Sequence, residues 1–294
     1  MTLPPLDAPD LAPWGLTGVV VGTARSTFPG RAVYPVQSDQ GVFAAKVSRR
    51  TSQPNPGSED SIRLLEYLQA RGLLHVPTPL RTLDGHASAA SGGSDITVLE
   101  FVPRPLYAEA TPPASAWSDL GAAAAALNDI TGYPRRFAVP VDEALVHLRA
   151  RSEQAAFERP FRDALARASQ VTESSRAALI HGEINEANAL RRHDGTVVLV
   201  DWDQAGTGPV ALELGYPLII AFVDIDTHRL HEQRAKAFYD AYRSSGGIVD
   251  PLATFAAAVF HALRYMWFAD VDRRWDRISW ALRNESQLLD VVAG

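Results

Sequence analysis

The residue pattern changes at Pro103-Arg104-Pro105, and this change constrains the fold more than any other feature of the chain. Before these prolines, short apolar runs separated by turn residues are typical of strands. After them, apolar residues recur mainly at the spacing of helices. The order predicts an α+β fold with two lobes: an N-terminal antiparallel sheet with one main helix over residues 1–102, and a larger, mostly helical lobe over residues 103–294.

The first part is predicted to hold one helix within a series of strands. The helix signal begins at Ser58 and ends near Gly72. A polar turn at residues 23–30 separates the first two strands, and the Gly- and Ser-rich residues 84–95 predict a flexible loop. The predicted strands are residues 16–24, 31–38, 41–47, 77–82 and 96–102.

The second part is predicted to be helical with one exception. Residues 178–203 combine a polar loop with two short strands, at residues 189–191 and 197–200. A loop and hairpin of this kind are unusual inside a helical lobe. The predicted helices are residues 118–130, 141–151, 160–170, 228–244 and 252–270.

Composition excludes several classes of function. The 294 residues carry a formal charge of −6, which offers no general attraction for nucleic acid or anionic lipid, so we expect neither partner. The chain has no cysteine, and therefore no disulfide or thiolate metal site. The N-terminal residues lack a basic and apolar leader pattern, and we expect a cytoplasmic location. The sequence leaves the oligomeric state open.

Lysine is scarce, which draws attention to Lys46. The chain contains two lysines, Lys46 and Lys236, and arginine supplies its other basic side chains. Lys46 lies in the predicted strand 41–47, within an apolar run. Because arginine does not replace a compact ammonium group, this position suggests a task specific to lysine.

The densest cluster of polar residues lies in HGEINEANAL, residues 181–190, and in VVLVDWD, residues 197–203. It places Glu183, Asn188, Asp201 and Asp203 on a loop and at the end of a strand. Oxygen ligands of this kind suit Mg²⁺, which takes one or two carboxylates together with phosphate oxygens and water. The alternative is a loop of solvated acids beside a buried strand.

The order and spacing of this cluster resemble the aminoglycoside phosphotransferase and choline kinase family. That family has His-Gly-Asp, four residues, Asn, and then a strand that ends in Asp-Trp-Asp or a close variant. Here the matching positions are His181, Gly182, Glu183, Asn188 and residues 201–203. The resemblance implies a protein-kinase-like fold and an ATP- and Mg²⁺-dependent transfer of phosphate to a hydroxyl group of a small molecule.

The resemblance assigns the nucleotide contacts to the first lobe. Lys46 matches the lysine that binds the α- and β-phosphates. Its acidic partner is expected on the next helix, where Glu59, Asp60 and Glu66 are candidates and Glu59 is preferred. Residues 96–103 resemble the segment that binds adenine, through the carbonyl of Glu100 and the amide of Val102. The polar turn 23–30 is expected to cover the phosphates.

The resemblance also assigns roles around the reacting groups. Asp201 and Asn188 are expected to hold Mg²⁺, and the residue at position 183 is expected to accept or orient the proton of the acceptor hydroxyl. His181 is expected to support the loop through hydrogen bonds. Asp203 is expected to reinforce the metal site or the hydroxyl side.

The chain departs from the family pattern at Glu183, which is one methylene longer than the usual aspartate. Either the backbone accommodates the longer arm and the kinase is active, or the protein binds nucleotide and transfers phosphate poorly, as a regulatory protein on the kinase fold. A third reading, a structural interaction protein, requires no nucleotide binding at all.

The acceptor is open at this point. An aminoglycoside, an amino sugar, a choline-like amine and a homoserine-like compound are all admissible. Acids and aromatic residues in the C-terminal helices provide possible contacts for a cationic amine; equally, they fit ordinary surface acids and core aromatics. They are Asp224, Asp226, Asp240, Tyr265, Trp267, Asp270, Asp272 and Trp275.

Overall fold

A computed structural model describes the chain at residues 6–24, 26–28, 30–50, 57–106, 112–139, 141–152, 158–171, 176–266 and 270–294. It divides into two compact units. The first comprises Met1–Arg104 and Leu190–Asp203, and the second comprises Pro105–Ala189 and Gln204–Gly294. Trp267 of the sequence prediction, and residues 25 and 29 of the predicted polar turn, lie outside the described residues.

The strands and helices follow the order expected for an α+β fold. A 3-10 helix, Ala8–Trp14, precedes them. The strands are β1 Val20–Val21, β2 Ser26–Phe28, β3 Arg31–Ser38, β4 Gly41–Arg49, β5 Pro79–Leu80, β6 Ala89–Ser91, β7 Ser94–Glu100, β8 Arg104–Pro105, β9 Ala177–Ile180, β10 Ala189–Arg191, β11 Val197–Leu199 and β12 Gly206–Pro209. The helices are α1 Gly57–Ala70, α2 Ala114–Asn128, α3 Val141–Ser152, α4 Glu158–Ala168, α5 Val210–Ile220, α6 Glu232–Ser244, α7 Pro251–Tyr265, α8 Val271–Arg283 and α9 Glu285–Ala293.

The first unit is built on an antiparallel sheet in the order β1-β3-β4-β7-β5, with β2 paired to β3 and β6 paired to β7. Alternate residues of β4 and β7 point into its core, where Ala45, Val47, Ile96 and Val98 are buried. Trp14 closes this core and donates a hydrogen bond from Nε1 to the Leu80 carbonyl at 2.9 Å. The sheet with its single long helix α1 confirms the predicted fold class.

The hairpin β10–β11 belongs largely to the first unit, although the sequence prediction placed it in the second lobe after residue 102. Hydrogen bonds explain this grouping. The Leu199 amide donates to the His75 carbonyl at 2.9 Å. Arg192 donates to the Leu74 and Val76 carbonyls at 2.6 and 2.9 Å. The hairpin thereby carries residues 201–203 to the first unit.

The second unit is mostly helical. Helix α2 packs against α6, and α5 packs against α7. Asn128, at the end of α2, is fully buried and satisfied: it donates to the Leu179 carbonyl and accepts from the Tyr242 hydroxyl, each at 2.9 Å. None of the helices in the described ranges has the length and apolarity needed to span a bilayer.

Several element predictions are corrected. Strand β2 lies inside the predicted polar turn 23–30, and β6 lies inside the predicted flexible loop 84–95. The helix predicted from residue 228 begins at Glu232, because His228 has a left-handed φ of 54° that a helix does not accommodate. Helices α5, α8 and α9 were not predicted.

Candidate active site

Lys46 lies near the end of β4, between Val33 of β3 and Thr97 of β7. Its Nζ donates to Asp201 Oδ1 at 2.9 Å and to Asp203 Oδ2 at 2.7 Å, and 19% of its side chain is exposed. Burial by itself lowers the pKa of Lys46, but the two aspartates outweigh it and raise the pKa above its usual 10.5. The ammonium group is therefore charged throughout the physiological range.

Trp202 anchors the segment that carries the two aspartates. The indole is buried, and its Nε1 donates to the Leu199 carbonyl at 2.7 Å. On one side of it, Asp201 adopts a left-handed φ of 64°. This conformation is uncommon for residues other than glycine, although aspartate tolerates it better than most, and such outliers concentrate at functional sites. The buried tryptophan thus fixes a turn that presents both carboxylates to Lys46.

Arg31 of β3 joins this group, and no feature of the sequence pointed to it. Its Nη1 donates to Asp203 Oδ2 at 3.0 Å, the same oxygen that accepts from Lys46. Asp203 therefore bridges two cations on neighbouring strands. A small cavity of about 50 Å³ opens beside this cluster. Its polar lining includes Lys46, Ser61, Thr97, Asp201 and Asp203.

The expected partnership of Glu59 with Lys46 is not present, and this prediction is corrected. Glu59 accepts from Nε of Arg63 at 3.0 Å, one turn further along α1. Glu66, the later candidate, accepts from Arg81 at 2.6 Å. The face of α1 that lines the cavity instead carries Ser61, Ile62 and Leu65. Glu59 and Glu66 are thus paired with arginines, and Asp201 and Asp203 are the acids that contact Lys46.

Glu100 ends β7, in the segment predicted to bind adenine. Its carboxylate accepts from Nε and Nη2 of Arg192 at 2.6 and 2.8 Å and from the Thr78 amide at 3.0 Å. Burial raises the pKa of Glu100, but Arg192 and Thr78 outweigh it and hold the pKa below 4.5. Val102 follows and is buried, with 6% exposed. The side chain of Glu100 thus ties β7 to the hairpin, and its predicted backbone role stays a prediction.

In the second unit, residues 181–188 form a loop that is held by its own side chains. The Glu183 carbonyl accepts from Nδ2 of Asn188 at 3.0 Å and from Nδ2 of Asn185 at 3.2 Å. Asn185 Oδ1 in turn accepts from the amides of Ala187 and Asn188. His181 is fully buried, and its Nδ1 accepts from the Glu183 amide at 3.3 Å. The supporting role of His181 stays a prediction.

Glu213 of α5 anchors the start of the same loop. Its two carboxylate oxygens accept from the amides of His181 at 3.0 Å and Gly182 at 2.6 Å. Complete burial raises the pKa of Glu213 to about 7, against the lowering effect of these two amides. Gly182 has a φ of 84°, and a Cβ there would lie 2.3 Å from the Phe137 ring, so this position requires glycine.

The side chain of Glu183 is buried, with 8% of the residue exposed. Its Oε1 accepts from Nε2 of Gln204 at 2.8 Å and from the Tyr265 hydroxyl, and Nη2 of Arg264 lies 3.9 Å away. Burial, then the negative charge of Glu183, raises the pKa of Tyr265, which stays a protonated donor. Gln204 was missed by sequence reasoning, although it directly follows the Asp-Trp-Asp segment. A loop residue, Gln204, and the last residue of helix α7, Tyr265, therefore hold the longer acidic arm.

The donor chemistry fits Mg²⁺. Asp201 and Asn188 offer a carboxylate and an amide oxygen, which are hard ligands, and Mg²⁺ needs few protein ligands because phosphate oxygens and water complete its shell. In the part of the chain that the structure describes, no group of three or more histidines and acids is arranged to hold a metal by itself.

Comparisons with known proteins agree with this architecture. A model of the phosphotransferase enzyme family (APH) matches residues 30–248. No curated protein matches the chain. The fold resembles spectinomycin phosphotransferase in complex with ADP and spectinomycin, with a TM-score of 0.64 at 15% identity over 99% of both chains.

Two further solved structures share the fold. The microcompartment-associated aminopropanol kinase is 18% identical, with a TM-score of 0.60 and coverage of 97% of this chain and 96% of that one. Choline kinase from Streptococcus pneumoniae is 11% identical, with a TM-score of 0.56 and coverage of 94% of both chains. At these identities the likeness establishes a common fold.

Proposed function

The chain belongs to the phosphotransferase enzyme family, and from this premise we propose that it transfers the γ-phosphate of ATP, with Mg²⁺, to a hydroxyl group of a small molecule. The observation that carries the proposal is the contact of Lys46 with Asp201 and Asp203. A lysine that binds phosphates and an aspartate that binds the metal are the two parts that phosphoryl transfer requires on the nucleotide side.

On the nucleotide side, Lys46 orients the α- and β-phosphates while Asp203 holds its ammonium group in place. Arg31 pairs with the same Asp203 oxygen as Lys46 does, so it is a second cation that lies close to the proposed phosphate site. Asp201 and Asn188 are the proposed Mg²⁺ ligands. When bound, the metal neutralises charge on the phosphate oxygens. The backbone of Glu100 and Val102 is the proposed contact for adenine.

On the acceptor side, Glu183 receives the proton of the acceptor hydroxyl. The hydroxyl oxygen of the acceptor bonds to the γ-phosphorus, and the bond between this phosphorus and the β–γ bridging oxygen breaks. Tyr265 and Gln204 position the carboxylate by donating to Oε1. His181 and Glu213 keep the loop backbone in place. ADP and the phosphorylated acceptor are the products.

The acceptor is proposed to be a small hydroxylated molecule: an aminoglycoside, an amino sugar, a choline-like amine or a homoserine-like compound. The names of the structural neighbours support this range, since they concern spectinomycin, aminopropanol and choline. None of these names fixes the acceptor of this chain.

A second candidate is a nucleotide-binding protein that transfers phosphate poorly. The observation that favours it is the engagement of Glu183 Oε1 by Gln204 and Tyr265, since hydrogen bonds already donated to this oxygen reduce its readiness to accept a proton.

ADP release distinguishes the two candidates. The protein is incubated with ATP and Mg²⁺, first alone and then with pools of amino alcohols, hydroxy amino acids, amino sugars and aminoglycosides. Release that depends on an acceptor is the expected result. Thermal stabilisation by ATP and Mg²⁺ without turnover of any pool supports the second candidate. The absence of any nucleotide effect on stability or turnover contradicts both.

A further inference from the structure

A second cavity, of about 370 Å³, lies within the second unit. This volume is at the small end of the range for small-molecule sites and suits a ligand the size of an amino acid or a single sugar. Its charged lining consists of Glu186, Asp224, His231, Arg234 and Arg277. Nothing in the proposed nucleotide chemistry uses these residues.

The cavity adjoins the loop that carries Glu183. Glu186, three residues further on, lines the cavity and pairs with Nη1 of Arg234 at 3.1 Å. Tyr216 connects the two regions as well: its hydroxyl accepts from Nδ2 of Asn185, and its ring packs edge-on against Tyr265, which donates to Glu183. The cavity and the proposed proton acceptor are therefore joined through the loop of residues 181–188, which supplies Glu183 to one and Glu186 to the other.

Arg277 of α8 is the feature that the fold leaves unexplained. The residue is 6% exposed, and its Nε is buried without a hydrogen-bond partner among the described residues. Burial, followed by the neighbouring Arg274, lowers the pKa of Arg277 to about 10, so it remains a cation at neutral pH. A buried charged group whose donor lacks a hydrogen bond destabilises a protein. Such a group points to a ligand that supplies the missing acceptor.

The other charges of the cavity are already engaged. Arg234 is paired with Glu186. Asp224 Oδ1 accepts from the amides of Asp226 and Thr227 and from the Thr227 hydroxyl, so it caps its own turn. Burial, then the charge of Arg234, lowers the pKa of His231 below 6.5, which leaves it mainly neutral. Arg277 is thus the cavity residue whose buried side chain keeps an unpartnered hydrogen-bond donor among the described residues, while the negative charge of Asp224 acts on it from a distance.

Three of the acids that the sequence offered for a cationic acceptor are also engaged within the protein. Asp226 pairs with Arg273, and Asp240 pairs with Arg243 at 2.8 Å. Asp270 caps α8 by accepting from the Arg273 amide at 3.2 Å. These contacts weaken the sequence-based argument for a purely cationic acceptor.

We propose that the acceptor carries an anionic group, a carboxylate or a phosphate, and that Arg277 binds this group in the cavity beside Glu186 and Arg234. The inference rests on the proposed phosphotransferase function and narrows its acceptor to an anionic hydroxy compound. Guanidinium suits this task because its fork donates to both oxygens of such a group. Arg277 acts here by selecting the substrate.

The test uses matched pairs of probes that differ in the anionic group. L-Homoserine is compared with 3-aminopropan-1-ol, which lacks the carboxylate, and glucosamine 6-phosphate is compared with glucosamine. Binding to the full chain is measured by calorimetry without ATP. We expect the anionic member of at least one pair to bind about ten- to a hundredfold more tightly, as for a hydrogen-bonded ion pair. The pair that shows the difference identifies carboxylate or phosphate as the group.

Variants assign the effect to Arg277. Arg277→Gln is expected to abolish the preference, Arg277→Lys to retain part of it, and Arg283→Gln, an exposed arginine of the same helix, to leave it unchanged. The unfolding temperature of each variant reports on folding, and Arg277→Gln is expected to be no less stable without ligand, because it removes an unpaired buried charge.

Equal binding within both pairs, or a preference that survives in Arg277→Gln, overturns the proposal. Failure of all four probes, together with no Arg277-dependent binding of inorganic phosphate, overturns it too. Phosphorylation is scored separately by ADP release. Arg277-dependent binding without turnover contradicts the proposed function but not the anion site. The anion site alone is contradicted if turnover is faster with 3-aminopropan-1-ol than with homoserine, and faster with glucosamine than with glucosamine 6-phosphate.

Discussion

Glu183 shows how an acidic side chain longer than the family's aspartate is held in position. The residue is buried, and its Oε1 accepts hydrogen bonds from Gln204 and Tyr265. The backbone around it is fixed independently, because Glu213 binds the amides just before it. These contacts hold the carboxylate in one position, as a functional group on a rigid scaffold requires.

Lys46 is the residue on which the nucleotide side depends. Lys46→Met is expected to weaken nucleotide binding or turnover about tenfold or more, the usual effect of removing a hydrogen bond to a charged group. The measurement is ATP affinity by calorimetry in the presence of Mg²⁺. Lys236→Met, which removes the other lysine at an exposed position of α6, is the control and should bind as the wild type does. Unchanged affinity and turnover in Lys46→Met would remove β4 from the site.

The raised pKa of Glu213 predicts that the stability of the folded protein decreases as the pH rises. Its pKa is about 7 in the folded protein and about 4.5 in the unfolded chain. Between pH 4.5 and pH 7, Glu213 is therefore protonated in the folded state and ionised in the unfolded state. Its contribution to the free energy of unfolding is fully present below pH 4.5 and is lost as the pH rises through 7. The loss amounts to about 3 kcal/mol at most, at 1.36 kcal/mol for each pKa unit.

Urea unfolding at pH 5 and pH 8 measures this contribution. Glu213→Gln cannot ionise, so the fall in unfolding free energy from pH 5 to pH 8 should be smaller in this variant than in the wild type. Glu143→Gln, an exposed glutamate of α3, should behave like the wild type. An identical pH dependence in the wild type and in Glu213→Gln would show that Glu213 is ionised at both pH values.

At the scale of elements, the close contact of α2 with α6 depends on a glycine within an alanine-rich helix. A Cβ on Gly121 would lie 2.1 Å from the Phe238 carbonyl oxygen, which is backbone and has no rotamer to move aside. Glycine is unfavourable in a helix by itself, so its presence here reflects the approach of the two backbones.

Gly121→Ala therefore tests the packing of these two helices. The higher helix propensity of alanine favours the variant, but the steric overlap is larger, and we expect the free energy of unfolding to fall by about 1–3 kcal/mol. Ala126→Ser, at an exposed position of α2, is the control and should change stability by less than about 0.5 kcal/mol. Denaturant unfolding measures both, and a stabilised Gly121→Ala would contradict the helix contact.

Some elements were predicted from the sequence, and α5 and β6 were missed for two different physical reasons. Alternation of polar and apolar residues identified β3, since one side of this strand points into the core, and a compact apolar run identified β4. Helix α5 was missed because its residues 210–219 are all buried, so it has no polar face and its apolar residues show no helical period. Strand β6 is formed by alanines and serine, and tertiary pairing with β7 rather than local preference makes it a strand.

At the scale of the whole molecule, motif order located the candidate site, but its contacts required the fold. Asp201 is 155 residues from Lys46, and Tyr265 is 82 residues from Glu183. The sequence identified Lys46, Glu183 and Asp201 as chemical groups, whereas Arg31, Gln204 and the cavity of Arg277 became visible only when distant strands and helices were placed together. The helical pattern of α1 also did not show which of its side chains face Lys46. Glu59 was therefore predicted as the partner of Lys46, and this prediction was wrong.

The central claim is that this member of the family is an active phosphotransferase that uses Glu183. The most direct test is the rate of ADP release by Glu183→Gln with the best acceptor, at saturating ATP and Mg²⁺. We expect nucleotide affinity close to that of the wild type and a rate that falls about a hundred- to ten-thousandfold, the range for loss of a general base. Glu143→Gln should retain the wild-type rate. Acceptor phosphorylation at the wild-type rate in Glu183→Gln would contradict the claim, because a neutral amide cannot take the proton.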